Sequence, residues 1–339
     1  MTRATLLRQG RTLGLLLISL LLAQPAAAFR RAATTGAPFL KLAEDARSAG
    51  MAGATVALAG AWTPQGAGAG NASINPAGMA GSLQRAFSFA HERRMAQLTH
   101  GALSYAMPLN EKTAMSFGAA WLQAPEQEIT TLQEPEGTGS TYAYGDLALR
   151  TTLATRLTDR LAVGGTLKWI RQDLHREHAQ GAALDVGLLL DTGWRHLQLG
   201  MALANFGPRL RLEGEDLLVD GGDGRPALLE TQEFQLPLLY RVGLSDRLWE
   251  REGQRLDVAL QAEHPNDSRQ NLRLGLEYAW RERLFLRGGR HMRRDLEQAS
   301  LGLGLRLPLP EGRRLELDYA WTSQSHFTAL QVISLSLVY

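Results

Sequence analysis

The chain has no cysteine, so any chemistry must come from histidines, carboxylates, hydroxyls or glycine-rich loops. Asp173, His175 and His178 stand close together and are metal-ligand types. A structural zinc site needs four donors, and these three alone are weak evidence for one, which favours a solvated external loop. Gly66-Ala67-Gly68-Ala69-Gly70 is glycine-rich, but it lacks the Gly-Lys-Ser/Thr ending with which a phosphate loop holds its nucleotide. Ser82, Ser88 and Ser104 stand on no nucleophile elbow. His100 and Ser104 share one face of an expected strand, yet four positions along a strand separate them by about 13 Å. No nucleophile, base and acid converge. The chain therefore reads as a non-enzyme without catalytic, cofactor or metal residues.

The remaining charged residues show a different pattern. Lys168, Asp185, Asp257, Glu263, Arg273, Glu277, Arg287, Glu316 and Asp318 alternate with apolar neighbours. Leu272, Leu274, Leu276, Tyr278 and Trp280 interleave with Arg273, Gly275, Glu277 and Ala279. Leu315, Leu317, Tyr319 and Trp321 interleave with Glu316, Asp318 and Ala320. A period of two puts the two sets on opposite faces of a strand. A soluble sandwich would bury the greasy face. A face carrying charges of both signs fits a barrel lumen better, where they pair or meet water. Lys168, Asp185, Glu263, Arg273, Glu277, Arg287 and Asp318 are the candidate lumen charges, and mutual pairing is favoured over substrate selection. Trp169, Tyr278, Trp280, Tyr319, Trp321 and Tyr339 lie near strand ends, as in an aromatic girdle.

Strands are predicted over 86–91, 97–107, 113–122, 142–156, 161–173, 179–192, 196–204, 234–249, 254–264, 270–280, 284–290, 298–307, 313–322 and 327–339. Fourteen is an even count, and short connections alternate with long ones, the longest being 123–141 and 205–233. In lipid every backbone polar group must be paired within the protein, so such strands must close. Residues 86–339 are thus an all-β, closed antiparallel transmembrane barrel. Ile333, Leu335, Leu337 and Tyr339 alternate to a terminal aromatic, a signal for the barrel assembly machinery.

The first 28 residues carry Arg3, Arg8 and Arg11, an apolar run from Leu13 to Ala23, and Ala26-Ala27-Ala28. This is a secretory signal, with Phe29 the expected mature start. Its removal takes the formal charge from +2 to −1. The basic balance is therefore a targeting feature and not a nucleic-acid footprint. Residues 29–85 lack alternation and are rich in Ala and Gly. They suit a hatch or plug fitted against the lumen wall, and their apolar content argues against full disorder.

Phe39-Leu40-Lys41-Leu42, Ala46-Arg47-Ser48-Ala49-Gly50-Met51-Ala52-Gly53-Ala54 and Asn75-Pro76-Ala77-Gly78-Met79-Ala80 resemble the N-terminal signature of the PorV/PorQ family, within the FadL-like class of outer-membrane barrels. Phe39, Arg47, Gly50, Met51, Gly53, Asn75, Pro76 and Gly78 carry this hatch motif. Ala183–Gly187, Asn205–Pro208, Gly275–Tyr278, Leu286–Gly289 and Leu317–Ala320 are similar to later parts of the family. Gly60-Ala61-Trp62 departs from it, standing where members often carry two acids. The resemblance implies a fourteen-stranded barrel with an N-terminal hatch in the bacterial outer membrane. It implies movement of hydrophobic or amphipathic cargo across that membrane. The alternatives are a PorV-like accessory of type IX secretion that binds or shuttles exported proteins at the cell surface, and a structural protein with a closed lumen. Partners implied are outer-membrane lipid, the assembly machinery, and hydrophobic small molecules or secreted proteins; nucleic acid is not among them.

Overall fold

Alternating side chains become a closed wall in the computed structural model, which describes residues 34–58, 72–220, 226–292, 297–325 and 328–339. The expected signal segment 1–28, the start at Phe29, Gly60-Ala61-Trp62 and the 66–70 glycine run lie outside the described residues. The wall strands are β1 (Ala86–Arg93), β2 (Thr99–Pro108), β3 (Thr113–Gln123), β4 (Tyr144–Arg156), β5 (Leu161–Leu174), β6 (Glu177–Asp191) and β7 (Gln198–Phe206). They continue as β8 (Leu239–Arg251), β9 (Gln254–Pro265), β10 (Asn271–Trp280), β11 (Leu284–Met292), β12 (Glu297–Pro308), β13 (Arg314–Gln324) and β14 (Leu330–Val338). Each pairs antiparallel with its neighbours in chain order, and β14 returns to β1 from Ala86↔Val338 to Arg93↔Gln331. The result is a closed fourteen-stranded barrel.

The outward rows are apolar. Leu303, Leu317, Leu335 and Ile333 are all exposed, as are Phe87, Phe117, Leu149 and Leu167. The inward rows hold small and ionic residues, and Asp185, Glu263, Glu277 and Lys168 are buried. A barrel inverted in this way is stable only with acyl chains outside it. The protein is an outer-membrane, multi-pass β-barrel.

Two local features differ from expectation. The strand expected from residue 234 begins at Leu239. Pro237 has no N–H to give a ladder, and residues 234–236 turn inward, where Phe234 bridges Leu210 and Gln235 bridges Thr35. The loop expected around His175 and His178 is a two-residue turn, His175–Arg176, with His175 at φ 57°. His178 lies within β6 opposite Asp173, whose carboxylate is held by Arg171.

Candidate functional site

Short side chains let the N-terminal segment lie inside the barrel. Thr35 and Gly36 meet Gln235 of the long outer connection, and Gly36 N–H donates to the Gln235 carbonyl at 2.9 Å. A 3-10 turn follows over Pro38–Lys41. The short helix α1 (Ala46–Gly50) starts at Asp45, whose side chain accepts from the Ser48 N–H and Oγ, both at 2.7 Å, satisfying an end donor. A second 3-10 turn, Pro76–Met79, is capped in the same way by Asn75. Arg85 then meets Tyr339 backbone to backbone where β1 begins.

The hatch and wall touch through glycine. A Cβ on Gly289 would overlap the backbone of Met51 and Ala52, and one on Gly164 would fall 2.5 Å from the Pro76 carbonyl carbon. Gly302 faces Gly50, while Gly200 and Gly243 face Val56. The inward glycines thus make room for a second layer of backbone, which a side chain would push off the wall. Asn75 Nδ2 bridges the two parts of the hatch and the wall, donating to the Val56 carbonyl at 2.8 Å and the Leu188 carbonyl at 3.1 Å. Val56 N–H donates to Gln261 Oε1 at 3.0 Å.

Three ionic groups line the lumen. Arg47 lays its guanidinium on Glu277, with Nε and Nη2 donating at 2.8 and 2.9 Å. Arg287 donates to the same carboxylate at 2.7 Å and also pairs with Asp318. Glu263 sits between Arg241, at 2.8 Å, and Arg273. Lys168 Nζ lies 2.6 Å from Asp185 and donates to Asn205 Oδ1 at 2.7 Å. All seven lumen charges singled out in the sequence therefore fall into these groups. Burial opposes the charge of Arg47, but Glu277 outweighs it and holds the guanidinium more firmly protonated than in water. Two further ties bind the hatch: Glu44 with Arg150, and Lys41 Nζ with Asp267 at 2.6 Å. Thr35 Oγ1 also donates to Asp267 at 2.7 Å. Burial pushes the Asp267 carboxyl up, yet the bonds from Lys41 and Thr35 hold it below its usual range.

Glu44, Lys41, Arg241, Asn205 and Asp267 were not singled out in the sequence. Arg241 is in phase with the buried row of β8, so its position was readable; the other four lie in the hatch, at a bulge or in a connection. Of the hatch-motif residues, Arg47 carries the central ion pair. Gly50, Met51, Asn75 and Pro76 meet wall glycines, and Gly53 and Gly78 lie in the turns. Phe39 lies elsewhere, in an apolar seam. It packs with Leu122, Ile170, Leu210 and Leu236, and Leu40 and Leu42 flank it. The seam joins the hatch, the wall from β3 to β6, and Leu210, Leu212 and Leu236 of the connection between β7 and β8.

The hydroxyl and imidazole groups do not converge. Ser88 Oγ meets Ser336 Oγ at 2.7 Å, and His100 Nδ1 lies 3.5 Å from Glu92. Among the described residues no group of His, Asp and Glu is placed to hold a metal ion. Ile333, Leu335 and Tyr339 are exposed on the outer face of β14, and Leu337 shares their row.

The sequence model of the family described as type IX secretion system protein PorV matches residues 25–189. No curated protein matches in sequence. Among solved structures, the CymD monoaromatic hydrocarbon channel is similar with a TM-score of 0.55 at 11% identity, covering 87% of this chain and 96% of that one. A Pseudomonas aeruginosa FadL homologue gives 0.52 at 14% identity, with 87% and 98% covered. The Pseudomonas putida toluene transporter TodX gives 0.51 at 14%, with 84% and 96% covered.

Proposed function

Because the chain folds like FadL-like outer-membrane barrels and the sequence model of the PorV family matches residues 25–189, we propose that it is a hatched channel for hydrophobic or amphipathic cargo. Its work is passage, not catalysis. The observation that carries this proposal is the apolar seam at the outer mouth. Apolar clusters also lie elsewhere between hatch and wall, around Met79 and Leu189 and around Val56 and Ile74, but among the described residues the seam is the one that takes in Leu210 and Leu236 of the outer connection. At the seam, Phe39 of the hatch, Leu210 and Leu236 of the folded connection, and Ile170 of the wall meet without a hydrogen bond between their side chains. Non-directional contacts of this kind can be exchanged for contacts with cargo at small cost. The terminal row Ile333, Leu335, Leu337 and Tyr339 would serve assembly rather than passage.

The test is uptake of labelled toluene and labelled oleate by cells with and without the gene, and by vesicles holding the purified barrel. Faster uptake of either probe with the protein present is expected. Equal rates for both probes in both systems overturn the proposal.

A second reading, an accessory of type IX secretion, is favoured by the described name of the matching family and by the number of ionic ties that seat the hatch. It predicts that deletion traps exported substrates in the periplasm. Normal surface display, with unchanged probe uptake, would leave a structural barrel with a closed lumen.

A further inference from the structure

The short connections mark the periplasmic rim, where the chain enters β1 and leaves β14. That rim is uneven. Tryptophan occurs there in three places, all on neighbouring strands or turns: Trp194 between β6 and β7, Trp249 at the end of β8, and Trp280 at the end of β10. The other inner connections, 109–112, 157–160 and 309–313, contain none. Each of the three is followed closely by arginine, as Trp194-Arg195, Trp249-Glu250-Arg251 and Trp280-Arg281-Glu282-Arg283. All three rings are exposed, and Arg281 lies 5.1 Å over the Trp280 ring.

The wall is also stepped in this arc. β8 pairs with β7 only from Leu239 to Ser245, while Asp246–Arg251 runs on, paired with β9 alone. Alternate residues of that run turn their N–H and C=O to the open side. Such groups cannot face acyl chains and must lie among headgroups or water. A groove of about 420 Å³ occupies the step, lined by Arg195, His196, Arg247, Leu248, Trp249 and Glu250. Arg247 is already neutralised, by Glu250 at 3.0 Å and Asp257 at 3.2 Å. Arg195, His196, Arg281 and Arg283 have no carboxylate partner among the described residues.

We propose that this arc is a docking surface for anionic glycerophospholipid of the periplasmic leaflet. The phosphate would sit in the groove against Arg195, His196 and the open N–H groups of β8. Its glycerol and upper acyl carbons would lie along Leu248 and Trp249. Arg281 and Arg283 add positive charge on the next turn. Arginine suits this role because its planar fork matches phosphate oxygens, and tryptophan because its ring prefers the headgroup level. The proposal is independent of what the channel passes.

The experiment is native mass spectrometry of the purified barrel, loaded in turn with dioleoyl phosphatidylglycerol and dioleoyl phosphatidylcholine. Arg195→Gln/Arg281→Gln/Arg283→Gln is compared with the unaltered protein and with Arg313→Gln in the adjacent inner turn 309–313, which holds no tryptophan and where Arg313 pairs with Glu311. Folding is checked by mobility on unboiled gels, and Arg195→Gln alone serves if the triple variant does not fold. Phosphatidylglycerol should be retained in preference, with retention about tenfold weaker in the triple variant and unchanged in Arg313→Gln. Equal retention of the two lipids overturns the proposal, as does undiminished retention by the variant or an equal loss in Arg313→Gln. Full displacement by excess inorganic phosphate would mark a small-anion site and overturn it too.

Discussion

The mid-lumen and the outer mouth hold the same hatch in opposite ways. In the middle, Arg47, Glu277, Arg287 and Asp318 alternate in sign, and each donor has one direction in which to point. Around the mouth, Phe39, Leu122, Ile170, Leu210 and Leu236 touch without any polar atom to align. An ion pair broken on one side leaves a buried charge without a counterion. An apolar contact opened on one side can close again on another apolar surface. The middle therefore fixes where the hatch sits, and the mouth is where it can begin to part.

The sharpest way to break that contrast is to lock the mouth covalently. Thr35 and Gln235 are bridge partners, a spacing suited to a disulfide, and the chain has no other cysteine to compete. Thr35→Cys/Gln235→Cys should reduce probe uptake to the level without protein when oxidised, and dithiothreitol should restore it. Full uptake through the cross-linked protein would move the point of entry away from the seam. Next in size is Glu277→Gln, which leaves Arg47 and Arg287 without their shared carboxylate. Removing one partner of a buried pair costs about 3–5 kcal/mol. A lowered melting temperature is expected, with new trypsin cleavage at Arg47 while the barrel stays intact on unboiled gels. An unaltered melt would show that water reaches this layer and screens it.

The wall was legible because its period of two holds wherever lipid lies on one side and ions on the other. Leu272–Trp280 and Leu315–Trp321 read correctly from sequence alone, and the candidate lumen charges lie on the inward rows. Phe234, Leu236 and Leu238 alternate in the same way, yet Leu236 serves the seam, because the same pattern also suits a segment folded into an apolar mouth. Arg47 stood out by its motif. Its partner Glu277 lies 230 residues away, and only ring closure brings the two together. The inward glycines answer to a different demand. Most of those named here are spaces cleared for hatch backbone, a demand that local sequence does not express.

Two smaller effects test the seating of the hatch. Gly289→Ala places a methyl group against the Met51 and Ala52 backbone and should cost about 1–3 kcal/mol by overpacking. Gly288→Ala points into open space and should leave the melt unchanged. Equal melts for the two would mean the hatch does not rest on this strand. The smallest effect concerns the tie at the mouth. The Asp267 carboxyl lies below its ordinary value, because bonds from Lys41 and Thr35 outweigh its burial. A depressed carboxylate contributes stability that is fully present above its unfolded pKa and is lost as pH falls through the folded one. Acidification below the ordinary carboxylate range should therefore loosen residues 35–41 before the Arg47–Glu277 contact, since Asp267 serves one cation and three face Glu277. Hydrogen exchange along a pH series would follow this order, and Asp267→Asn should remove the step at the mouth. A step that survives in Asp267→Asn would assign the acid response to another carboxylate and weaken the case that the mouth parts first.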